Sequence, residues 1–167
     1  MIQLWVNLPA ADKMTPPSYQ AITAEQIPVV SLDDANSEIR VIAGEYQGQK
    51  GPARTFSPML VWDVTVQAHA NMILEVPDGW NTAVIARSGC CLINEHARAA
   101  AGQMVVLSAQ GDQVQIQAEA ESQLLLIAGE PLNEPVEGYG PFVMNTKEEI
   151  RQAIRDFQQG DFGKMSS

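Results

Sequence analysis

The chain contains few of the side chains that hold metal ions or act as nucleophiles. Its 167 residues include two histidines, His69 and His96, and two cysteines, Cys90 and Cys91. No His-x-His pair occurs in the chain. Neighbouring residues of a strand point to opposite faces, which makes a disulfide between them strained. Two reduced thiols are therefore expected, as in a cytoplasmic protein.

Positive charge is also scarce. The chain has 10 Lys and Arg against 20 Asp and Glu, with a formal net charge of −10. Such a surface repels phosphate backbones and anionic membrane surfaces, so direct binding of nucleic acid or membrane is not expected. No apolar run approaches the length of a membrane span, and no basic-then-apolar leader opens the chain. We therefore expect a cytoplasmic location.

The chain is rich in short stretches of alternating apolar and polar residues, separated by Gly and Pro turns. Residues 62–67 and 113–118 alternate throughout, and Pro77-Asp78-Gly79 is one of the turns. Many short strands with turns at near-regular spacing are typical of an antiparallel sandwich or barrel. Further strands are predicted at residues 39–43, 72–76, 82–86, 90–93, 104–107 and 124–127. The pattern predicts a fold dominated by β-structure, a single antiparallel β-barrel of jelly-roll type.

One helix is predicted near the C-terminus. Thr146 and Glu149 have the spacing of a capping box at the start of the helix, and Gly160 is expected to end it. Between them, Ile150, Ala153, Ile154 and Phe157 form an apolar stripe at helical spacing. The stripe has to pack against another surface.

These patterns divide the chain into three parts of one domain. Residues 1–30 form an opening strand and an arm, because Leu4, Val6 and Leu8 alternate with Gln3, Trp5 and Asn7 and a looser segment follows. Residues 31–129 form the barrel core, which includes a hairpin turn at residues 33–37. Residues 130–167 form a Gly/Pro-rich turn, the helix and a tail.

Three stretches of this chain resemble the pirin family, whose members contain two cupin barrels. The stretch from Gly129 to Gly163 resembles the C-terminal signature of the family. Residues 3–9 resemble the segment that opens the second half of a pirin, and residues 48–58 resemble the next segment that is characteristic of the family. The resemblance covers the chain from Gln3 to Gly163, but only the C-terminal half of a typical member. It implies that this chain is a single cupin barrel.

The resemblance also implies where a metal would be. In pirins an iron-type centre is held in the N-terminal barrel by a His-x-His pair, a further His and a Glu. After the Pro77-Asp78-Gly79 turn, where a metal-binding cupin carries its first His pair, residues 80–83 read Trp-Asn-Thr-Ala. No family ligand can be placed on this chain, so we expect no cofactor in it, and iron is implied only for the missing N-terminal half.

A few other residues could carry chemistry. Cys90, Cys91, Glu95 and His96 are close in sequence, and a metal site or a Cys–His pair would require them to converge. The alternative is that residues 94–96 are hairpin turn residues and that one thiol is structural. For this reason no catalytic residue is assigned.

Aromatic and apolar residues suggest two further surfaces. Trp62 and Trp80, with Cys90, could line a pocket inside the barrel, although filling a core is the commoner role for residues such as Trp5, Trp62 and Trp80. Large apolar groups at the two ends of the chain suggest an interface. The candidates for this interface are Leu4, Trp5, Phe142, Ile154 and Phe157.

Two functions follow from these observations. The leading hypothesis is a metal-free, non-catalytic structural or binding domain, which forms a homodimer or pairs with an N-terminal pirin half. The alternative is a part of a quercetin 2,3-dioxygenase-like enzyme whose metal site lies in an N-terminal half. This activity is implied by the resemblance for some full-length pirins, and the chain alone is not expected to have it.

Overall fold

The computed structural model describes residues 2–32 and 37–163. The chain divides into two compact units. The terminal unit combines Met1–Ala21 with Leu132–Ser167, and the barrel unit is Ile22–Pro131. No helix among the described residues has the length and apolar character needed to cross a membrane.

The barrel unit contains two antiparallel sheets. Its strands are β1 (Val29–Ser31), β2 (Glu38–Ala43), β3 (Glu45–Tyr46), β4 (Gln49–Lys50), β5 (Met59–Val66), β6 (Asn71–Glu75), β7 (Asn81–Ser88), β8 (Cys90–Ile93), β9 (Ala97–Ala100), β10 (Met104–Val106), β11 (Gln113–Ala118) and β12 (Ser122–Gly129). The large sheet has the order β1-β2-β5-β12-β7-β10, and the smaller sheet has the order β6-β11-β8-β9. β3 and β4 form a separate hairpin.

The core of the barrel unit lies between the inward faces of these two sheets. Burial alternates strictly along β5, and the same alternation occurs in β6, in β11 and in β7 as far as Ala86. Because side chains in a strand alternate between faces, the apolar member of each pair faces inward. The predicted antiparallel β-barrel with one C-terminal helix is therefore confirmed.

The strand prediction was incomplete, since it missed the short strands β3 and β4 and the hairpin at residues 137–144. The alternating pattern also did not reveal β9, whose Ala-Arg-Ala-Ala sequence has little contrast between its faces. The predicted turn at residues 33–37 lies mostly outside the described residues, but its flanking strands pair with Val30 opposite Ile39. The strands on both sides of that turn are therefore in hairpin register.

The β7–β8 turn depends on one glycine. Gly89 has φ +76°, and a Cβ at this position would collide with the Glu121 carbonyl oxygen and the Ser122 hydroxyl. Ser122 is buried, and its Oγ accepts from the Cys90 amide at 3.0 Å. The turn therefore closes tightly onto the first residue of β12.

The terminal unit is built from a hairpin and a helix. β13 (Glu137–Tyr139) pairs with β14 (Phe142–Met144), and α1 covers Lys147–Gln159. The predicted capping box is present: Thr146 Oγ1 accepts from the Glu149 amide at 3.2 Å, and Glu149 Oε2 accepts from the Thr146 amide at 2.8 Å. Gly160 ends the helix in the left-handed conformation.

One prediction for this unit was wrong, and the apolar stripe of the helix is covered only in part. Residues 2–9 join no sheet among the described residues, because no neighbouring strand offers them a ladder of hydrogen bonds. The apolar stripe of α1 is buried only at Ile150 and Ala153, whereas Phe157 is 63% exposed. The apolar stripe is therefore largely uncovered over the last helical turn.

Replacing Gly89 by alanine is expected to destabilise the protein more than replacing Gly102 by alanine. Both glycines have positive φ, but a Cβ on Gly102 meets nothing within 4 Å. Gly102→Ala therefore carries only the left-handed backbone cost of about 1–2 kcal/mol. Urea unfolding of both variants checks the difference, and equal midpoints would contradict the close approach at Ser122.

Replacing Thr146 by alanine is expected to destabilise α1 by about 1 kcal/mol, because the amide of Glu149 loses its acceptor. Thr146→Ser keeps the hydroxyl and is the matched control. Unfolding followed by far-ultraviolet circular dichroism measures the effect. If serine and alanine had the same effect, the cap would contribute nothing.

Candidate functional site

The interior of the barrel unit is the first place where a ligand or metal could be held. Its lining is mostly aliphatic, with the sulfur atoms of Cys91 and Met72 as the potential soft metal ligands. The fully buried aliphatic side chains include Ile39, Val64, Leu74, Val84, Ile93, Val114, Ile116, Leu124 and Leu126. His69 and His96, in contrast, are exposed and lie in turns. The interior therefore offers packing surface and no imidazole.

Trp62 is the largest side chain in that core, and its indole carries a polar N–H group. Nε1 is buried and has no hydrogen-bond partner among the described residues. The ring packs edge to face against Tyr46, with ring centroids 5.0 Å apart and planes at 69°. Burial raises the pKa of Tyr46, and the nearby Glu75 carboxylate adds to the shift. Trp80 is half-buried against the same core, so Trp62 and Trp80 both act as core-packing groups.

Cys90 belongs to a polar cluster that the sequence did not reveal. Arg98 on β9 forms a forked ion pair with Glu119, with Nε–Oε1 at 3.0 Å and Nη2–Oε2 at 2.8 Å. Partial burial raises the pKa of the Cys90 thiol, and a hydrogen bond to Glu119 raises it further. The structure therefore places Cys90 beside a carboxylate that disfavours its thiolate. The pairing of β8 with both β11 and β9 creates this cluster.

The four sequence-local candidates do not converge. Cys91 points into the core, where burial raises its pKa to about 11. Cys90 pairs with Ala100 at one end of the β8–β9 hairpin, whereas Ile93 pairs with Ala97 next to the turn that carries Glu95 and His96. Three residues of strand separate the two ends by about 10 Å. Residues 94–96 are turn residues, as the alternative interpretation held.

The iron centre implied by the family resemblance does not fit the described residues. Residues 2–32 and 37–163 contain no group of three His, Cys, Asp or Glu side chains placed to hold a metal ion. The inward positions that would have to supply ligands carry mostly aliphatic side chains, and no His, Asp or Glu is among the buried described residues. No chemical step through a metal can therefore be placed on these residues.

The terminal unit carries a largely apolar groove of about 920 Å³. One wall is residues 5–8, another is β14, and a third is α1. Lys13 is held there, since its Nζ donates to Asn7 Oδ1 at 2.6 Å and to the Val143 carbonyl at 3.3 Å. The volume lies within the range of about 300–1,000 Å³ that is usual for small-molecule pockets. The groove can bind an apolar group and orient it with a few polar ones.

Three phenylalanines meet next to this groove. Phe142, Phe157 and Phe162 pack mutually edge to face, with ring centroids 5.6–5.9 Å apart. Of the predicted interface residues, Leu4, Trp5 and Phe157 are exposed, with Trp5 at 72%. Phe142 and Ile154 are half-buried. The Phe157 ring is thus partly covered by its aromatic neighbours rather than by a core.

The two facing antiparallel sheets, with alternate side chains filling the space between them, define the class of the barrel unit as a cupin-type β-barrel. Residues 61–163 match the family model described as the pirin C-terminal cupin domain. The chain belongs to the pirin family. It spans just over half the length of the curated relatives that it matches.

Three relatives illustrate the similarity. A Pseudomonas aeruginosa protein named "Putative quercetin 2,3-dioxygenase" is 46% identical over 97% of this chain and 56% of its own length. Human pirin is 39% identical over 97% of this chain and 57% of its own length. The crystal structure of quercetin 2,3-dioxygenase from Acinetobacter baumannii is 48% identical with a TM-score of 0.90, covering 96% of this chain and 56% of that chain.

Replacing Glu119 by glutamine is expected to lower the pKa of Cys90, because the substitution removes a carboxylate that disfavours the thiolate while Arg98 remains nearby. The pH dependence of iodoacetamide labelling at Cys90, followed by peptide mass spectrometry, should shift to lower pH. Glu121→Gln makes the same charge change at an exposed neighbouring position and should leave the profile unchanged. Identical profiles for Glu119→Gln and the unmodified chain would contradict the cluster.

Proposed function

We propose that this chain is a pirin-type C-terminal cupin domain that is metal-free and non-catalytic and acts as a structural and binding domain. The observation that carries the proposal is the chemistry of the barrel interior. Metal-binding cupins need imidazoles and carboxylates that point inward, and the described core is mostly aliphatic and contains neither group. Tight apolar packing stabilises the fold but leaves no ligand set for chemistry.

The binding role is supported by the groove of the terminal unit. Its lining combines exposed apolar side chains, such as Trp5, Met14 and Phe162, with polar groups on α1 such as Gln152 and Asp156. Exposed apolar surface gathered around a concave site is characteristic of surfaces that bind other molecules. The partner we propose for this unit is polypeptide, either a second copy of the chain or an N-terminal pirin half, in the cytoplasm.

A second candidate function is supported by the relatives. Two of them carry the name quercetin 2,3-dioxygenase, and this chain spans 56% of each. On that alternative, this chain is one half of an enzyme whose iron would be bound by the part of the relatives that it does not span. The cupin barrel described here would then support the catalytic half without touching the metal.

Purified chain expressed with added iron is expected to contain no stoichiometric iron, copper or zinc and to consume no oxygen with quercetin. Elemental analysis and an oxygen electrode measure the two quantities on the same sample. Near-equimolar metal with quercetin turnover would overturn the proposal. A His69→Ala and His96→Ala double variant is the matched control, because it removes both imidazoles of the chain.

A further inference from the structure

Residues 2–8 have the sequence of a strand but pair with no strand in the described part of the chain. No main-chain hydrogen bond joins them to another described residue. None of them has a positive φ, so nothing in the backbone prevents an extended conformation. Residues 2–6 are all exposed, including the apolar Ile2, Leu4 and Val6.

This arrangement leaves two kinds of surface uncovered. Main-chain N–H and C=O groups need partners, and a sheet edge is the usual way in which an alternating segment obtains them. Ile2, Leu4, Val6 and Leu8 would all lie on one face of an extended strand, and Gln3, Trp5 and Asn7 on the other. A strand with one fully apolar face is stable only when that face is covered.

The segment is also a palindrome by side-chain class. From Ile2 to Leu8 it reads apolar, amide, apolar, tryptophan, apolar, amide, apolar. When two copies run antiparallel with Trp5 opposite Trp5, Leu4 faces Val6, and Gln3 faces Asn7. Apolar residues then meet apolar ones and amides meet amides, which are favourable cross-strand pairs. A sequence that matches its own reverse suits a contact about a two-fold axis.

Charge favours the same partner. The chain carries a net charge of −10, so two copies repel one another over most of their surface. Residues 2–8 contain no charged side chain, and the first charges along the chain are Asp12 and Lys13. Contact through this segment therefore avoids placing like charges opposite one another.

We propose that residues 2–8 of two copies of this chain pair as antiparallel strands about a two-fold axis at Trp5, which makes the chain a homodimer. A two-stranded ribbon alone is only marginally stable in water. Here the ribbon adjoins the apolar groove, because residues 5–8 form one of its walls beside the exposed Met14 and Phe162. The partner strand covers apolar surface in addition to completing hydrogen bonds. This inference holds whether or not the barrel unit is catalytic.

Light scattering during size exclusion is expected to give the mass of two 18.2 kDa chains at micromolar concentration. Leu4→Glu combined with Val6→Glu should weaken the dimer at least tenfold, because each pair then places two carboxylates opposite one another. Gln49→Glu combined with Gln110→Glu adds the same charge at exposed positions of the barrel unit and should leave the dimer intact.

Cross-linking tests the register. In a Cys90→Ser background, a mixture of Leu4→Cys and Val6→Cys chains should form disulfide-linked pairs several-fold faster than either chain alone or than Leu4→Cys mixed with Leu8→Cys. A mass of 18.2 kDa at every concentration would overturn the proposal and leave the segment to a preceding cupin half in a longer chain. The proposal would also be overturned if the Leu4→Glu and Val6→Glu double variant still formed the dimer and the cysteine variants gave no cross-link between positions 4 and 6.

Discussion

The interior packing of the two sheets is the constraint on which the barrel unit depends. β12 lies at the centre of the large sheet, paired with β5 on one side and β7 on the other. Its inward residues Leu124 and Leu126 are fully buried among apolar side chains from both sheets. Each such aliphatic side chain stabilises the fold by roughly 1.5–3 kcal/mol relative to its exposed state. An inward position that holds an aliphatic side chain for packing cannot also supply a metal ligand or a catalytic group.

The same alternation explains why polar clusters lie on the outside of the barrel unit. Cys90 and Cys91 are adjacent, and the strand places one beside Glu119 and Arg98 and the other in the core. Asp63 and Arg87 form a similar outward pair at 2.8 Å on the large sheet. Such part-exposed pairs are screened by water and contribute at most modestly to stability. They lie on the outside of the barrel unit and leave the interior apolar.

The terminal unit distributes its side chains differently. Its helix is capped at both ends, but its apolar stripe is covered only over the first turns, and the aromatic trio of Phe142, Phe157 and Phe162 remains partly open. The opening segment and the groove add further exposed apolar surface. A surface of this composition fits a domain whose role is to meet another polypeptide, which is the role we propose for the chain.

The sequence by itself determined the class of the fold and the bounds of α1, because period-two alternation and the Thr146 to Gly160 signals are local properties of the chain. It also determined that no His-x-His pair exists. Only the tertiary structure decided that Glu119, rather than His96, is the neighbour of Cys90, because strand register brings together residues that are far apart in sequence. It likewise decided that Phe157 is exposed and that residues 2–8 remain outside every described sheet. A local pattern shows that a segment can be a strand or an apolar face, but what covers it depends on the rest of the chain.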